Sequence, residues 1–295
     1  RDSVASRGLG DVYKRQVSVV VLMLGWNLNG GDPAWGRLNV PGHVFTQPPI
    51  FTWVYLIPPL MMLLLTQWGA PLSTSFLVLS TFEFKNSSSL IQISLFGYLI
   101  AFLISILLYG LGLWVFERWI FNTNQSNHSV GTVWLFTQWL ATAFLWAIWL
   151  VQDLANVFIF LPRQLELLPM LMCTVLLCLG LCWLISVGGG PIQGVLRTKT
   201  NASDLRSATA IDLLFGCCLV GCALLTSFPL STTWVFLGLL GGREIALRFH
   251  SHRSDKPFAL QDGGHWSQVV GADFSKASIA LIVSMLIASG LQPLL

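Results

Sequence analysis

Charged side chains are too scarce in this chain to clothe a surface that faces water. They make up 10% of the 295 residues, against about 25% in an ordinary soluble domain. The formal net charge is only +3 and no basic tail gathers it, so the electrostatic footprint of a nucleic-acid binder is missing. A disulfide framework is missing too. All six cysteines (Cys173, Cys178, Cys182, Cys217, Cys218, Cys222) fall inside two apolar stretches, where Cys behaves as a small packing residue. Without His or carboxylate beside them they form no metal or redox cluster. His43, His128, His250, His252 and His265 all stand in stretches read as loops, with no nucleophile–base pair or metal triad around them. The chain is therefore read as a non-enzyme, with a membrane-embedded enzyme as the alternative from another class. Residues 248–274, which hold three of these histidines, are expected to be a solvated connector.

Apolar length is what the sequence has in plenty. Stretches 51–68, 90–116, 133–151, 167–187, 208–228 and 275–294 approach or exceed the roughly 18 residues that read as a spanning helix. Trp53, Trp68, Trp114, Trp119, Trp134 and Trp183 lie near their ends, as interfacial Trp does. An all-α integral membrane protein is expected, in a bacterial cytoplasmic (inner) membrane, with the lipid bilayer as its first partner and a homo-oligomer left open. Residues 1–16 break the pattern, with Arg1, Asp2, Arg7, Asp11, Lys14 and Arg15 crowded ahead of an apolar run that begins at Val17. They lack the apolar core and cleavage site of a secretory signal. A non-native, adaptor-derived segment is expected there.

A repeat organises the rest. Pro71-Leu72-Ser73-Thr74-Ser75-Phe76 recurs as Pro229-Leu230-Ser231-Thr232-Thr233-Trp234, each time after one apolar run and before another. Repeated transporter halves commonly have inverted topology, with the binding site near the bilayer midplane where broken helices meet. Proline removes a backbone donor, and nearby Ser and Thr side chains satisfy the carbonyls it frees. The expected fold is a multi-span bundle of two inverted repeats, with broken or re-entrant helices at the Pro-Leu-Ser-Thr motifs. Residues 17–116 would be the remainder of the first repeat, 117–132 a polar connector and 133–295 the second repeat.

Asp153 is the second signal, set in Gln152-Asp153-Leu154-Ala155-Asn156 between apolar runs. Insertion scales charge about 2.5–3.5 kcal/mol for Asp at a helix centre, so such an acid is functional by default. Asn156 is three residues on and shares its helical face, where the two can present oxygens to one cation. The alternative is an interfacial N-cap. Asp212 lies near the start of its span and is a weaker candidate of the same kind, with capping or an interfacial position as the alternative. Asp32, in Gly30-Gly31-Asp32-Pro33, is read as a turn residue.

These motifs resemble the inorganic phosphate transporter (PiT) family, whose members are similar in carrying a Gly-x-Asn-Asp-x-x-Asn and a Pro-Val-Ser-Thr-Thr-His motif in each of two inverted halves. Asp153 and Asn156 match the Asp and final Asn of the first. Pro229, Ser231, Thr232 and Thr233 match the second, as do Pro71, Ser73 and Thr74. Gln152 replaces the family's Asn, and the closing His is Phe76 or Trp234. Carried back from Pro71, the spacing of Asp153 to Pro229 falls before the chain begins, and an N-terminally truncated member is expected.

The resemblance implies uptake of inorganic phosphate coupled to a sodium ion or proton, with no cofactor beyond that ion. Gln152, Asp153 and Asn156 would hold the cation, a sodium ion at Asp153 being the one metal expected. Ser73, Thr74, Ser75, Ser231, Thr232, Thr233 and Asn156 would bind the phosphate or a similar small anion. No buried Arg or Lys is expected in the spans. Another small anion, or a non-transporting membrane paralogue, is the further alternative. Arg197, Lys199 and Arg206 in one loop, and Arg243, Arg248, Arg253 and Lys256 in another, leave orientation open, because residues 229–247 read equally as a re-entrant hairpin or a full crossing.

Overall fold

The computed structural model describes residues 2–45, 52–67, 72–124, 131–187, 204–252 and 266–292. Helices dominate them: α1 Asp2–Leu28, α2 Ile57–Gln67, α3 Thr74–Phe82, α4 Ser87–Leu108, α5 Trp114–Asn124, α6 Thr132–Phe158, α7 Leu167–Ser186, α8 Leu205–Leu225, α9 Thr232–His252 and α10 Trp266–Leu291. A hairpin of two short antiparallel strands, β1 Asn39–Val40 and β2 His43–Val44, follows α1.

Five of the described helical stretches are long and apolar enough to cross a membrane: Phe84–Ile120, Thr132–Phe158, Leu167–Leu184, Leu205–Leu225 and Val270–Leu291. The first joins α4 to α5 through a π-helical turn, Tyr109–Leu113. Its two faces explain its place. Leu99, Leu103, Leu107 and Leu111 recur every fourth residue on the exposed side, while Gly97, Ala101 and Ser105 line the buried one. Residues four apart share a helical face, so one stripe meets lipid and the other meets protein.

The buried stripe receives α9. A Cβ on Gly238 would strike the Tyr98 carbonyl and one on Gly242 the Phe102 carbonyl, which is the close backbone approach that a small-xxx-small pattern permits. Ser105 Oγ then donates to the Leu239 carbonyl at 2.7 Å. In the same way α8 closes on α6, where Gly216 leaves room for the Phe144 ring. Further contacts set α3 against α10, and α1 against α6 and α7.

Three boundaries differ from those the sequence predicts. The expected span 51–68 is a 3-10 turn, Trp53–Leu56, followed by α2. Pro58 and Pro59 lie in the first turn of α2, where their missing N–H groups cost nothing, and its 11 residues reach only about 16 Å. Part of the expected connector 117–132 is helical, because α5 runs to Asn124. Likewise α9 runs to His252, inside the stretch read as a polar connector, and His250 stacks on Trp114 with ring centroids 4.4 Å apart.

Candidate functional site

Both Pro-Leu-Ser-Thr motifs stand at breaks between helices. Pro71 lies outside the described residues, so the first break is described from Leu72; the second runs from Thr226 to Ser231. Each break ends on a serine that caps the next helix. Ser73 Oγ accepts from the Phe76 N–H at 3.3 Å, and Ser231 Oγ accepts from the Trp234 N–H at 3.4 Å, satisfying a donor that a helix start would leave orphaned.

The two breaks face one another. Ser75 Oγ donates to the Leu230 carbonyl at 3.4 Å, and Thr233 Oγ1 donates to the Leu72 carbonyl at 3.4 Å. Ser75 and Thr233 occupy the same motif position, as do Leu72 and Leu230, so this is one contact made twice in opposite directions. The next matched pair, Phe76 and Trp234, meets edge to face with ring centroids 6.0 Å apart. Thr74 and Thr232 flank the junction.

Helix α6 brings the acid to it. Asn156 Nδ2 donates to Thr74 Oγ1 at 3.2 Å, Ser75 Oγ at 3.3 Å and Asp153 Oδ1 at 3.1 Å. The other carboxylate oxygen of Asp153 accepts from Thr232 Oγ1 at 3.3 Å, and Thr232 in turn accepts from Trp149 Nε1 at 3.1 Å. Asn156 therefore touches the first break and Asp153 the second. Ser73 and Ser231 remain occupied as caps, and Ser231 also receives support through its N–H, which donates to Ser94 Oγ at 2.9 Å.

What these groups lack is as informative as what they hold. Among the described residues no Lys or Arg pairs with Asp153. Asn156 Oδ1 is buried without a partner, and so are both carboxamide atoms of the fully buried Gln152. A buried acceptor left open costs free energy that a ligand can recover. A carboxylate, an amide oxygen and three hydroxyls (Thr74, Ser75, Thr232) are hard oxygen donors of the kind that suit a small cation.

Asp153 sits toward one end of its helix, five residues before Phe158, rather than at its centre, and it is half-buried. Two loops cover that end. The Leu165 N–H donates to the Gly31 carbonyl at 2.9 Å and Trp26 Nε1 to the Leu165 carbonyl at 2.7 Å. Arg163 donates to the carbonyls of Phe158 (3.2 Å), Ile159 (3.4 Å), Leu161 (3.2 Å) and Phe45 (2.9 Å), closing the C-terminus of α6 as a basic side chain does. Asp32 is a turn residue: its carboxylate accepts from the Ala34 N–H at 2.8 Å and the Gly36 N–H at 3.1 Å.

Asp212 does not cap α8; Asp204 does, accepting from the Arg206 N–H at 2.8 Å. Two turns further in, Asp212 Oδ2 accepts from Gln138 Nε2 at 2.9 Å and Thr142 Oγ1 at 2.7 Å, both on α6. Buried arginines are present as well, contrary to the sequence expectation. Arg206 belongs to α8 and pairs with Asp204 at 2.9 Å. Arg243, inside α9, pairs with Glu117 of α5 at 3.0 Å. Arg197, Lys199, Arg253, Lys256, His128 and His265 lie outside the described residues.

A longer stretch of self-similarity was there to be read. In the register that aligns Pro71 with Pro229, Gly30, Gly31, Pro33, Gly36 and Leu38 align with Gly188, Gly189, Pro191, Gly194 and Leu196. No family model, curated protein or solved structure matches the chain.

Proposed function

We propose that this chain is a secondary transporter that carries inorganic phosphate, or a small oxyanion like it, together with a sodium ion or a proton. One observation carries the reading: two sequence-matched hydroxyl breaks make the same contact in both directions and share one acid–amide pair, Asp153 and Asn156, that pairs with no Lys or Arg among the described residues. Sites of this kind arise where two inverted repeats meet. The glycine–proline register that extends the repeat upstream supports two such halves, and so does the exchange of partners, in which α3 packs on α10 while α9 packs on α4.

The cation comes first in this scheme. It takes oxygens from Asp153, Asn156 and the hydroxyls of Thr74, Ser75 and Thr232, and its charge offsets the cost of holding a carboxylate away from water. An anion then finds positive charge beside the N-termini of α3 and α9, where free backbone N–H groups point. Each ion stabilises the other, and that mutual dependence is the coupling. The hydrogen bonds that cross between the two breaks are individually long, both 3.4 Å, and rocking of one half against the other can exchange them.

Proteoliposomes containing the chain and loaded against an inward sodium or proton gradient test the proposal. Labelled phosphate uptake should follow one gradient and fall to background in Asp153→Asn, with the variant protein still inserted. Gradient-independent uptake, or undiminished uptake by Asp153→Asn, rejects it; competition by sulfate would widen the substrate class.

A further inference from the structure

Beside the co-bound cation, the transport reading gives the anion only hydroxyls and backbone amides of the protein, yet the fold buries a full positive charge next to the second break. Arg37 is 5% exposed. Its one described side-chain bond runs from Nη1 to the Phe228 carbonyl at 3.4 Å, at the long edge of hydrogen bonding. Among the described residues no carboxylate pairs with it. Phe228 directly precedes Pro229-Leu230-Ser231-Thr232, so the guanidinium stands three residues from the cap of α9.

The loop that carries Arg37 is built to hold it. Gly30, Gly31 and Gly36 take φ values of 61°, 95° and 73°, and Trp35 sits at 58°, a conformation that a bulky residue adopts only under constraint. Gly25 lacks the Cβ that would collide with the Trp35 indole. The Asp32 carboxylate accepts from the Ala34 and Gly36 N–H groups, which fixes the turn ahead of Arg37. Phe45 closes the hairpin over Leu38 with its N–H on the Leu38 carbonyl at 3.0 Å, and stacks toward Phe228 at 5.6 Å. Burial alone pulls the guanidinium down to about 10; it stays charged at neutral pH, and the same loop leaves four of its five donors without a described acceptor.

A pre-set, uncompensated guanidinium beside a hydroxyl-lined helix start is the pairing that recognises a tetrahedral oxyanion, because its planar fork matches two oxygens at once. We propose that Arg37 is a binding residue for the anion, giving it a full positive charge from the protein itself where it meets the second break. The inference rests on the reading of this junction as an anion site. It commits to a free oxyanion rather than a lipid headgroup, because the side chain is 5% exposed and bonds the Phe228 carbonyl inside the fold.

Equilibrium dialysis of labelled inorganic phosphate against the full chain in lipid nanodiscs tests this apart from transport. Arg37→Gln should weaken phosphate binding by between about 10- and 100-fold, the range of a hydrogen bond to a charged group, and Arg37→Lys should lose less because the charge remains. The rise in melting temperature on adding sodium, which reads the Asp153 cluster, should persist in both. Unchanged phosphate affinity in Arg37→Gln overturns the inference. So does loss of the sodium response along with phosphate binding, since Arg37 would then only hold the fold, and so does displacement of phosphate by anionic lipid in the discs. Binding that depends on Arg37 and ignores Asp153→Asn keeps this inference and removes the coupled-transport reading.

Discussion

Two acids inside this helical bundle meet opposite fates. Glu117 of α5 is buried against Arg243 of α9 at 3.0 Å, and Ser207 of α8 donates to the same carboxylate oxygen at 2.7 Å. Arg243 also lies over the Tyr109 ring, 5.6 Å from its centroid. Three helices are thus tied by a charge that is neutralised on the spot. Among the described residues Asp153 of α6 is held only by neutral donors, Asn156 and Thr232. A buried pair is self-sufficient and needs nothing from solution, whereas a carboxylate with no internal counter-charge asks for an ion from outside. The first arrangement serves the fold, and the second is the one on which the proposed cation coupling rests.

Removing the charge from each acid separates them most sharply. Glu117→Gln strands the Arg243 guanidinium in the bundle, and loss of one partner of a buried pair costs about 3–5 kcal/mol; the expected outcome is the largest fall in melting temperature among single substitutions in this chain. Replacing both residues, as Glu117→Gln with Arg243→Met, should restore much of it. Asp153→Asn should behave in the opposite way. In sodium-free buffer its melting temperature should stay level or rise, because an uncompensated charge has been taken out, while the stabilisation that the transport proposal expects added sodium to give the parent chain should be lost. Equal destabilisation by the two substitutions would erase the contrast.

Asp212 falls between these cases and sharpens them. Its two donors, Gln138 and Thr142, are neutral like those of Asp153 but rigidly paired, both on one face of α6. Asp212→Asn keeps the shape and weakens two hydrogen bonds to a charged group, so a loss of about 1.5–3 kcal/mol is expected, read by thermal denaturation in the same discs. A change as large as that of Glu117→Gln would place Asp212 with the structural acids.

The residues that converge were readable because local rules betrayed them: a proline beside hydroxyls, twice, and an acid in an apolar run with Asn three residues on. The spans were readable for the same reason, since length and apolarity are properties of a stretch. Glu117 and Arg243 were not, because they are 126 residues apart and nothing in either neighbourhood names the other. Arg37 was missed through composition. Its Gly- and Pro-rich surroundings read as a surface loop, yet four left-handed residues fold that loop back over Leu38 and bury it. The short α2 was hidden in the opposite sense, by an apolar run in which Pro58 and Pro59 mark where a helix starts afresh.

The smallest expected effects probe the symmetry itself. Ser75→Ala removes the bond to the Leu230 carbonyl, and Thr233→Ala removes its mirror to the Leu72 carbonyl. Each is a neutral hydrogen bond and is worth about 1 kcal/mol. Ser75 carries an added load, because its Oγ also accepts from Asn156 Nδ2 at 3.3 Å, whereas the acid-side contact of the second break runs through Thr232. Ser75→Ala should therefore cost slightly more than Thr233→Ala in a thermal melt, and it should also weaken the sodium response, which Thr233→Ala leaves intact. A double substitution whose loss equals the sum of the two would mean the crossing bonds act independently. A smaller combined loss would mean that breaking one already lets the two motifs part, as expected of a junction whose two bonds are opened by the same motion.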